Sequence, residues 1–168
     1  TDMMPFLGID YEDMNKNLDV IQYNHYNDPS NLWTVAFWCD YLRGLKNRPF
    51  WVTETATCWS GSVAPAGQRP KNFCVANSWL PLTLGAEANL YWLWRAHWGG
   101  HELMHGSVVD SWGRPLHIKG EILRLAAEFK KASELLDGTR HRSSGIGLHF
   151  SHASWTMSMF QPVINGFD

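Results

Sequence analysis

DVIQYNHYNDPSNLWTVAFWCDYLRGLKNRPFWVTET, residues 19–55, decides the fold. Its first part, Asp19 to Tyr26, alternates apolar and polar side chains and stops at Asn27-Asp28-Pro29. That is the pattern of a β-strand carrying polar groups at its C-terminal end. The period then changes. Leu32, Val35, Ala36, Trp38, Cys39 and Leu42 share one face of a helix predicted over Asn31 to Leu45, which Arg48-Pro49 ends. Phe50 to Thr53 opens a second strand that runs straight into Glu54. Strand, helix and strand in so short a span predict a βαβ unit with parallel strands.

The same alternation continues downstream. A loop rich in Gly, Pro and Ser, Ser60 to Pro70, precedes a helix over Asn72 to Leu84 that tolerates Pro81 and ends near Gly85. A third strand is expected over Asn89 to Trp94, almost wholly apolar as suits a strand covered on both faces. Repetition at about 30 to 40 residues per unit is parallel β/α architecture. Gly120 to Leu136 reads as the clearest helix, with Ile122, Ala126, Phe129, Ala132, Leu135 and Leu136 on its apolar face and Gly138 as its stop. After Arg140-His141-Arg142, a new strand is expected over Ser144 to Phe150, followed by a stretch rich in Trp and Met at 152–160. A domain boundary is therefore placed between 138 and 144.

Composition narrows the function. The formal net charge is -2 and no Lys/Arg stripe appears, which argues against nucleic acid or an anionic membrane surface as partner. No apolar run approaches the roughly 18 residues of a membrane span. Ten Trp, five Tyr and eight Phe are many for 168 residues. Aromatic rings stack on the apolar face of a pyranose while nearby polar groups take its hydroxyls, so this richness favours carbohydrate binding. Cys39, Cys58 and Cys74 form no C-x-x-C pair and read as buried thiols. The opening Thr1-Asp2-Met3-Met4 suggests a piece of a longer polypeptide.

LYWLWRAHWGGHELMHGSVVD, residues 90–110, admits two readings. His101-Glu102-Leu103-Met104-His105 fits H-E-x-x-H, in which a helix presents two imidazoles to zinc and the Glu acts as general base of a peptidase. The flanks oppose a helix: Gly99, Gly100 and Gly106 would each cost roughly 1 kcal/mol relative to Ala. Ser107, Val108 and Val109 then favour extended chain, and the position six residues after His105 is Ser111, so a third ligand would have to be Glu121 or Glu128 on a later helix. The zinc peptidase stays as the minor reading, and no metal or cofactor is expected.

In a parallel β/α barrel, functional groups sit at the C-terminal ends of strands. The predicted ends carry Asn24-His25-Tyr26, Glu54, and Trp94-Arg95, which geometry alone brings together. Glu54 lies between Thr53 and Thr55 with Cys58-Trp59 shortly after, a poor setting for a solvated surface charge. The plainer alternative is a structural ion pair.

From Thr1 to about Leu136 the sequence resembles the second half of the catalytic barrel of family 42 glycoside hydrolases, retaining β-galactosidases of clan A. Thr1-Asp2-Met3-Met4 is similar to the end of the family's fifth strand, and Leu18 to Tyr26 to its sixth. Phe50 to Thr55 resembles the seventh strand, where the family carries its nucleophile. Leu84-Gly85-Ala86 resembles the approach to the eighth, and Leu93-Trp94-Arg95 with Gly99 to Gly106 resembles the stretch that follows it. The sequence departs from the usual pattern at Asp2, Thr55 and His101, where Asn, Gln and Ala are common. The last departure turns an E-x-x-H into the look of H-E-x-x-H.

The resemblance implies an α/β fold: a partial TIM (β/α)8 barrel, strands five or six to eight with their helices, over 1–138, and a linker with the first elements of a second α/β domain over 139–168. It implies retaining hydrolysis of terminal β-galactosides or galacto-oligosaccharides, with Glu54 as nucleophile and with Tyr26 and Arg95 favouring its ionised form. Glu102 and His105 would bind hydroxyls of the terminal sugar, and Trp59 or Trp98 would form the stacking platform, whereas Trp92 and His97 read as structural. The acid/base Glu is expected before Thr1, so this polypeptide alone is expected to be inactive. The resemblance also implies the remainder of the barrel as a partner, a homo-oligomer, usually a trimer, and a cytoplasmic parent. A catalytically silent carbohydrate-binding or assembly fragment is the alternative, since half a barrel leaves two sheet edges bare.

Overall fold

A computed structural model describes residues 8–59 and 68–161. The expectations placed on Thr1 to Met4, and most of the loop from Ser60 to Pro70, lie outside these residues. A short helix, α1 (Tyr11–Asn15), is capped by the Asp10 side chain, which accepts from the Asp13 amide. Strand β1 (Ile21–His25) leads to a 3-10 turn at Pro29–Asn31 that Asp28 and Asn31 close with reciprocal side-chain bonds. Helix α2 (Leu32–Lys46) ends at Asn47 in the left-handed conformation, a backbone geometry Asn tolerates, and β2 (Phe50–Thr55) follows. Next come α3 (Phe73–Thr83) and β3 (Ala86–Asn89), then α4 (Lys119–Leu136) and α5 (His152–Phe160).

The three strands form one parallel sheet in the order β1-β2-β3, so each strand pairs with the next in sequence. The period-2 pattern decides which face is dry. Ile21 and Tyr23 of β1 and Phe50 and Val52 of β2 meet Val35, Trp38, Cys39 and Leu42 of α2 in one core. Burying such aliphatic and aromatic side chains contributes about 1.5–3 kcal/mol each before entropy is charged against it. A second cluster joins Cys58, Cys74 of α3, and Ile118 and Leu125 at the start of α4. Three buried thiols fit the expectation from their spacing; burial raises Cys39 and Cys74 to about 12, so both remain protonated.

Three expectations are corrected. The third strand lies earlier than Asn89 to Trp94: the ladder covers Ala86–Asn89, and only single bonds, such as Trp92 N to Thr55 O at 2.9 Å, carry the pairing further. Hydrophobicity pointed to the later residues, while Ala and Glu are weak strand formers held here by pairing to β2. On α4 the buried stripe runs Ile118, Ile122, Leu125 and Phe129, and Leu135 is 78% exposed. The core lies under the first turns of this helix, so Leu135 in its last turn is left largely uncovered among the described residues.

The strand expected over Ser144 to Phe150 is also absent: these residues join no ladder, and Ile146 and Leu148 are 85% and 80% exposed. Alternating apolar residues imitate a strand, but a strand needs an edge to pair with. The tail instead returns to α2. Phe150 meets Phe37 edge-on at 5.0 Å and Tyr41 at 5.3 Å, and Trp155 of α5 meets Trp38 at 5.8 Å. Edge-to-face contacts of this kind contribute about 0.5–1.5 kcal/mol each beyond burial.

Candidate active site

Strict alternation would put Glu54 on the wrong face of the sheet. Phe50 and Val52 point to the helices, and a regular strand would send Glu54 after them. The ladder shifts at this point: Tyr23 pairs with Val52, but Asn24 pairs with Glu54, so Thr53 is the extra residue of a bulge. Bulges re-aim side chains, and this one turns Glu54 to the face opposite the core. Tyr26, just past the end of β1, then donates its hydroxyl to Glu54 Oε1. Thr55 resumes the inward direction and is fully buried beneath α3.

The next members of the site come from the loop after β3. The His105 ring lies 5.3 Å from that of Tyr26, so hydroxyl, carboxylate and imidazole share one locality. Burial holds the His105 imidazole below its ordinary pKa, against the upward pull of the Glu102 carboxylate. The ring is thus neutral near neutral pH, with one nitrogen donating and the other accepting. Glu102, in the same turn, faces His97 Nε2 at 3.5 Å, and His97 also packs on Trp92 at 5.7 Å. The helix that H-E-x-x-H requires does not form. Residues 101–104 pass through turns, with Gly100 at φ +98° and the Leu103 and His105 amides closing short loops onto Gly100 O and Glu102 O.

Gly106 explains why the loop can seat there. It packs directly on Cys58 and Trp59, and its amide donates to Trp59 O at 3.1 Å. Trp59 itself is half-buried with one ring face parallel to His117 at 6.2 Å, so only part of it is available to a ligand. Trp98 stands edge-on to Trp112 at 4.8 Å, and both are about two-thirds exposed. Arg95 is turned away from Glu54: its Nε and Nη2 both donate to the Ser111 carbonyl, which fastens the loop to the turn at 110–114. Of the two groups expected to favour an ionised Glu54, the structure brings Tyr26 and not Arg95.

Arg69 was not expected at the site. Its guanidinium donates to Tyr26 O at 3.0 Å and lies 5.4 Å from the centre of the Phe73 ring, fixing the backbone that carries the Tyr26 hydroxyl. Asn77 was also missed; the only signal was a polar residue on the buried face of an apolar helix, Phe73-Cys74-Val75-Ala76-Asn77-Ser78.

His25 belongs beside the site rather than in it. It is 1% exposed and stacked on Tyr23 at 5.0 Å, and burial lowers its pKa from 6.5 to about 4. Between those values the unfolded chain takes up a proton that the folded chain refuses. Its contribution is therefore full above about pH 6.5 and is lost as pH falls towards 4, by on the order of 2 to 3 kcal/mol. Urea unfolding of wild type and His25→Phe at about pH 7 and about pH 4.5 checks this; the variant should lose less stability on acidification by about that amount. Equal losses would show that His25 is not the group responsible.

The family model for β-galactosidases of glycoside hydrolase family 42 matches residues 1–132. The chain belongs to this family. A family 42 relative, β-galactosidase YesZ of Bacillus licheniformis, is 37% identical over 110 residues, covering 64% of this chain and 17% of its own length. β-Galactosidase BgaA of Clostridium cellulovorans is 26% identical over 167 residues, or 93% of this chain and 25% of its own. A solved family 42 structure, a catalytic mutant of Gan42B from G. stearothermophilus, superposes with a TM-score of 0.80 at 25% identity, over 94% of this chain and 24% of that one. The β-galactosidase of the haloarchaeon Halorubrum lacusprofundi superposes at 0.84 with 23% identity, over 97% and 26%. The chain spans about a sixth to a quarter of the length of these family 42 relatives. Its parallel sheet with alternating helices is a segment of their TIM-barrel fold.

Proposed function

We propose that this chain is the C-terminal part of the catalytic barrel of a retaining β-galactosidase, with β1, β2 and β3 as strands six, seven and eight. The observation that carries the reading is the placement of Glu54. A bulge turns it away from the core at the C-terminal end of a parallel strand, and the Tyr26 hydroxyl bonds it there.

In this reading the Glu54 carboxylate attacks the anomeric carbon of a terminal β-galactosyl unit. The bond from C1 to the Glu54 oxygen forms as the bond from C1 to the leaving oxygen breaks, and that oxygen takes a proton from a second carboxyl. Water, deprotonated by the same second carboxyl, then cleaves the ester, and two inversions leave the β-anomer. The second carboxyl comes from the part of the enzyme that this chain does not span. Tyr26 holds one oxygen of Glu54 in line. Glu102 accepts bonds from sugar hydroxyls, and neutral His105 both donates and accepts. Trp59, and Trp98 further out, offer ring faces to the sugar. Arg95 supports the site indirectly, by holding the loop that presents Glu102.

The test follows anomeric protons by NMR while the full-length polypeptide hydrolyses an aryl β-galactoside. β-Galactose should appear first and the α-anomer only later, by mutarotation. Release of α-galactose first, or no hydrolysis of β-galactosides, would overturn the reading.

A further inference from the structure

We propose that Asn77 and Thr55 form a buried clamp that sets the direction of Glu54, making both of them positioning residues for the reaction. The inference rests on Glu54 being the nucleophile. Asn77 lies in the middle of α3 and is 1% exposed; its Nδ2 donates to Thr55 Oγ1 at 2.9 Å, and Thr55 is likewise 1% exposed. A polar pair so deep between an apolar helix and a sheet gains little net stability over a well-packed apolar pair. It does fix geometry.

The need for a fixed geometry comes from the bulge. At Thr53 the strand leaves its regular ladder, and a bulged strand bends and twists more than a regular one. Glu54 sits immediately after that irregularity, so the backbone on its C-terminal side must be held if the carboxylate is to keep one direction. Thr55 is that hold. Its amide donates to Leu90 O at 3.1 Å, its carbonyl accepts from Trp92 N at 2.9 Å, and its hydroxyl is bound by Asn77. The first two bonds tie it to the segment after β3, and the third ties it to the helix layer. With all three in place, rotation of the Thr55 peptide, which would swing Glu54 away from Tyr26, is blocked. Misplacing a reacting group by about 1 Å can cost about 100-fold in rate.

The experiment uses the full-length enzyme and a 2-deoxy-2-fluoro-β-galactoside with a dinitrophenolate leaving group. Glu54 forms its bond to C1 as the bond to the aryl oxygen breaks, and dinitrophenolate departs with the electron pair. The step requires no general acid, so it reports on the nucleophile alone. Mass spectrometry of the labelled peptide locates the attachment, and burst amplitude counts active sites separately from the rate constant per site. In wild type the label should fall on Glu54; a label elsewhere would overturn the nucleophile assignment itself.

Thr55→Val, which keeps the shape and removes the hydroxyl, and Asn77→Leu should each lower the rate constant per site roughly 10- to 100-fold, with KM for an unmodified galactoside changed by less than about threefold. Thr55→Ser, which keeps the hydroxyl, should stay near wild type, and the double variant should be no slower than the slower single one. A wild-type rate constant in Thr55→Val would overturn the clamp. So would a reduced amplitude at an unchanged rate constant, because that is a role in folding only. If Asn77→Leu fails to fold, the comparison of Thr55→Val with Thr55→Ser decides the matter.

Discussion

Replacing Glu54 by Gln in the full-length enzyme is expected to lower kcat on β-galactosides by about a thousandfold or more. Glu and Gln have nearly the same shape, and the amide oxygen can still accept the Tyr26 hydroxyl bond that the carboxylate accepts now. The strand, its bulge and the contact with β1 therefore persist, and thermal unfolding should stay within a few degrees of wild type. What is lost is the nucleophile. A neutral amide cannot make the ester that divides hydrolysis into two easier steps, and removal of a single covalent catalyst from other enzymes costs about ten-thousandfold to a millionfold. Sugar binding should survive, because Glu102 and His105 are untouched. Steady-state kinetics with galactose inhibition on the same preparation check both halves. A kcat within tenfold of wild type would remove Glu54 from the role of nucleophile.

The second large effect is expected from one methyl group. A Cβ at Gly106 would lie 2.6 Å from Cys58 Sγ, 2.8 Å from Trp59 Cδ2 and 2.9 Å from the Trp59 amide nitrogen. One of these neighbours is a buried thiol, one is the half-buried Trp59 ring and the third is backbone, so relief requires the loop to lift away from the end of β2. The cost of such overpacking is about 3 kcal/mol. Lifting also breaks the Gly106 amide bond to Trp59 O and carries His105, the adjacent residue, away from Tyr26. Gly106→Ala should therefore lower Tm by several degrees and raise KM for galactosides together. Gly99→Ala is the matched control, since nothing lies within 4 Å of its added methyl. Indistinguishable effects of the two substitutions would show that the contact at Gly106 does not hold the loop.

Much of the fold is legible along the chain because burial leaves a periodic record. The strand at 21–25, the helix at 32–46 and the strand at 50–55 follow from apolar spacing, since each element has one dry side. Local pattern misleads where an element is held by its neighbours rather than by its own spacing. Ala86–Asn89 is a strand because β2 offers it an edge, whereas Ser144 to Phe150 pair with no strand among the described residues. Leu125 belongs to the buried stripe of α4 because the second cluster lies under the first turns of that helix. Phe150 and Trp155 lie against the aromatic face of α2, a contact that no local pattern announces.

The site divides in the same way. By itself the sequence determined that polar groups gather at strand ends, that Glu54 stands at one of them, and that glycines around His101 to His105 oppose the helix a zinc site would need. These are properties of short stretches, set by local sterics and by the chemistry of each side chain. Only the tertiary structure decided which way those groups face. The bulge at Thr53 reverses the alternation that would have hidden Glu54, and Arg95 turns to Ser111 rather than to the carboxylate. Asn77 reaches Thr55 across 22 residues of sequence. The direction of a side chain at a strand end depends on pairing register and on what packs behind it, and both are contributed by residues far away along the chain.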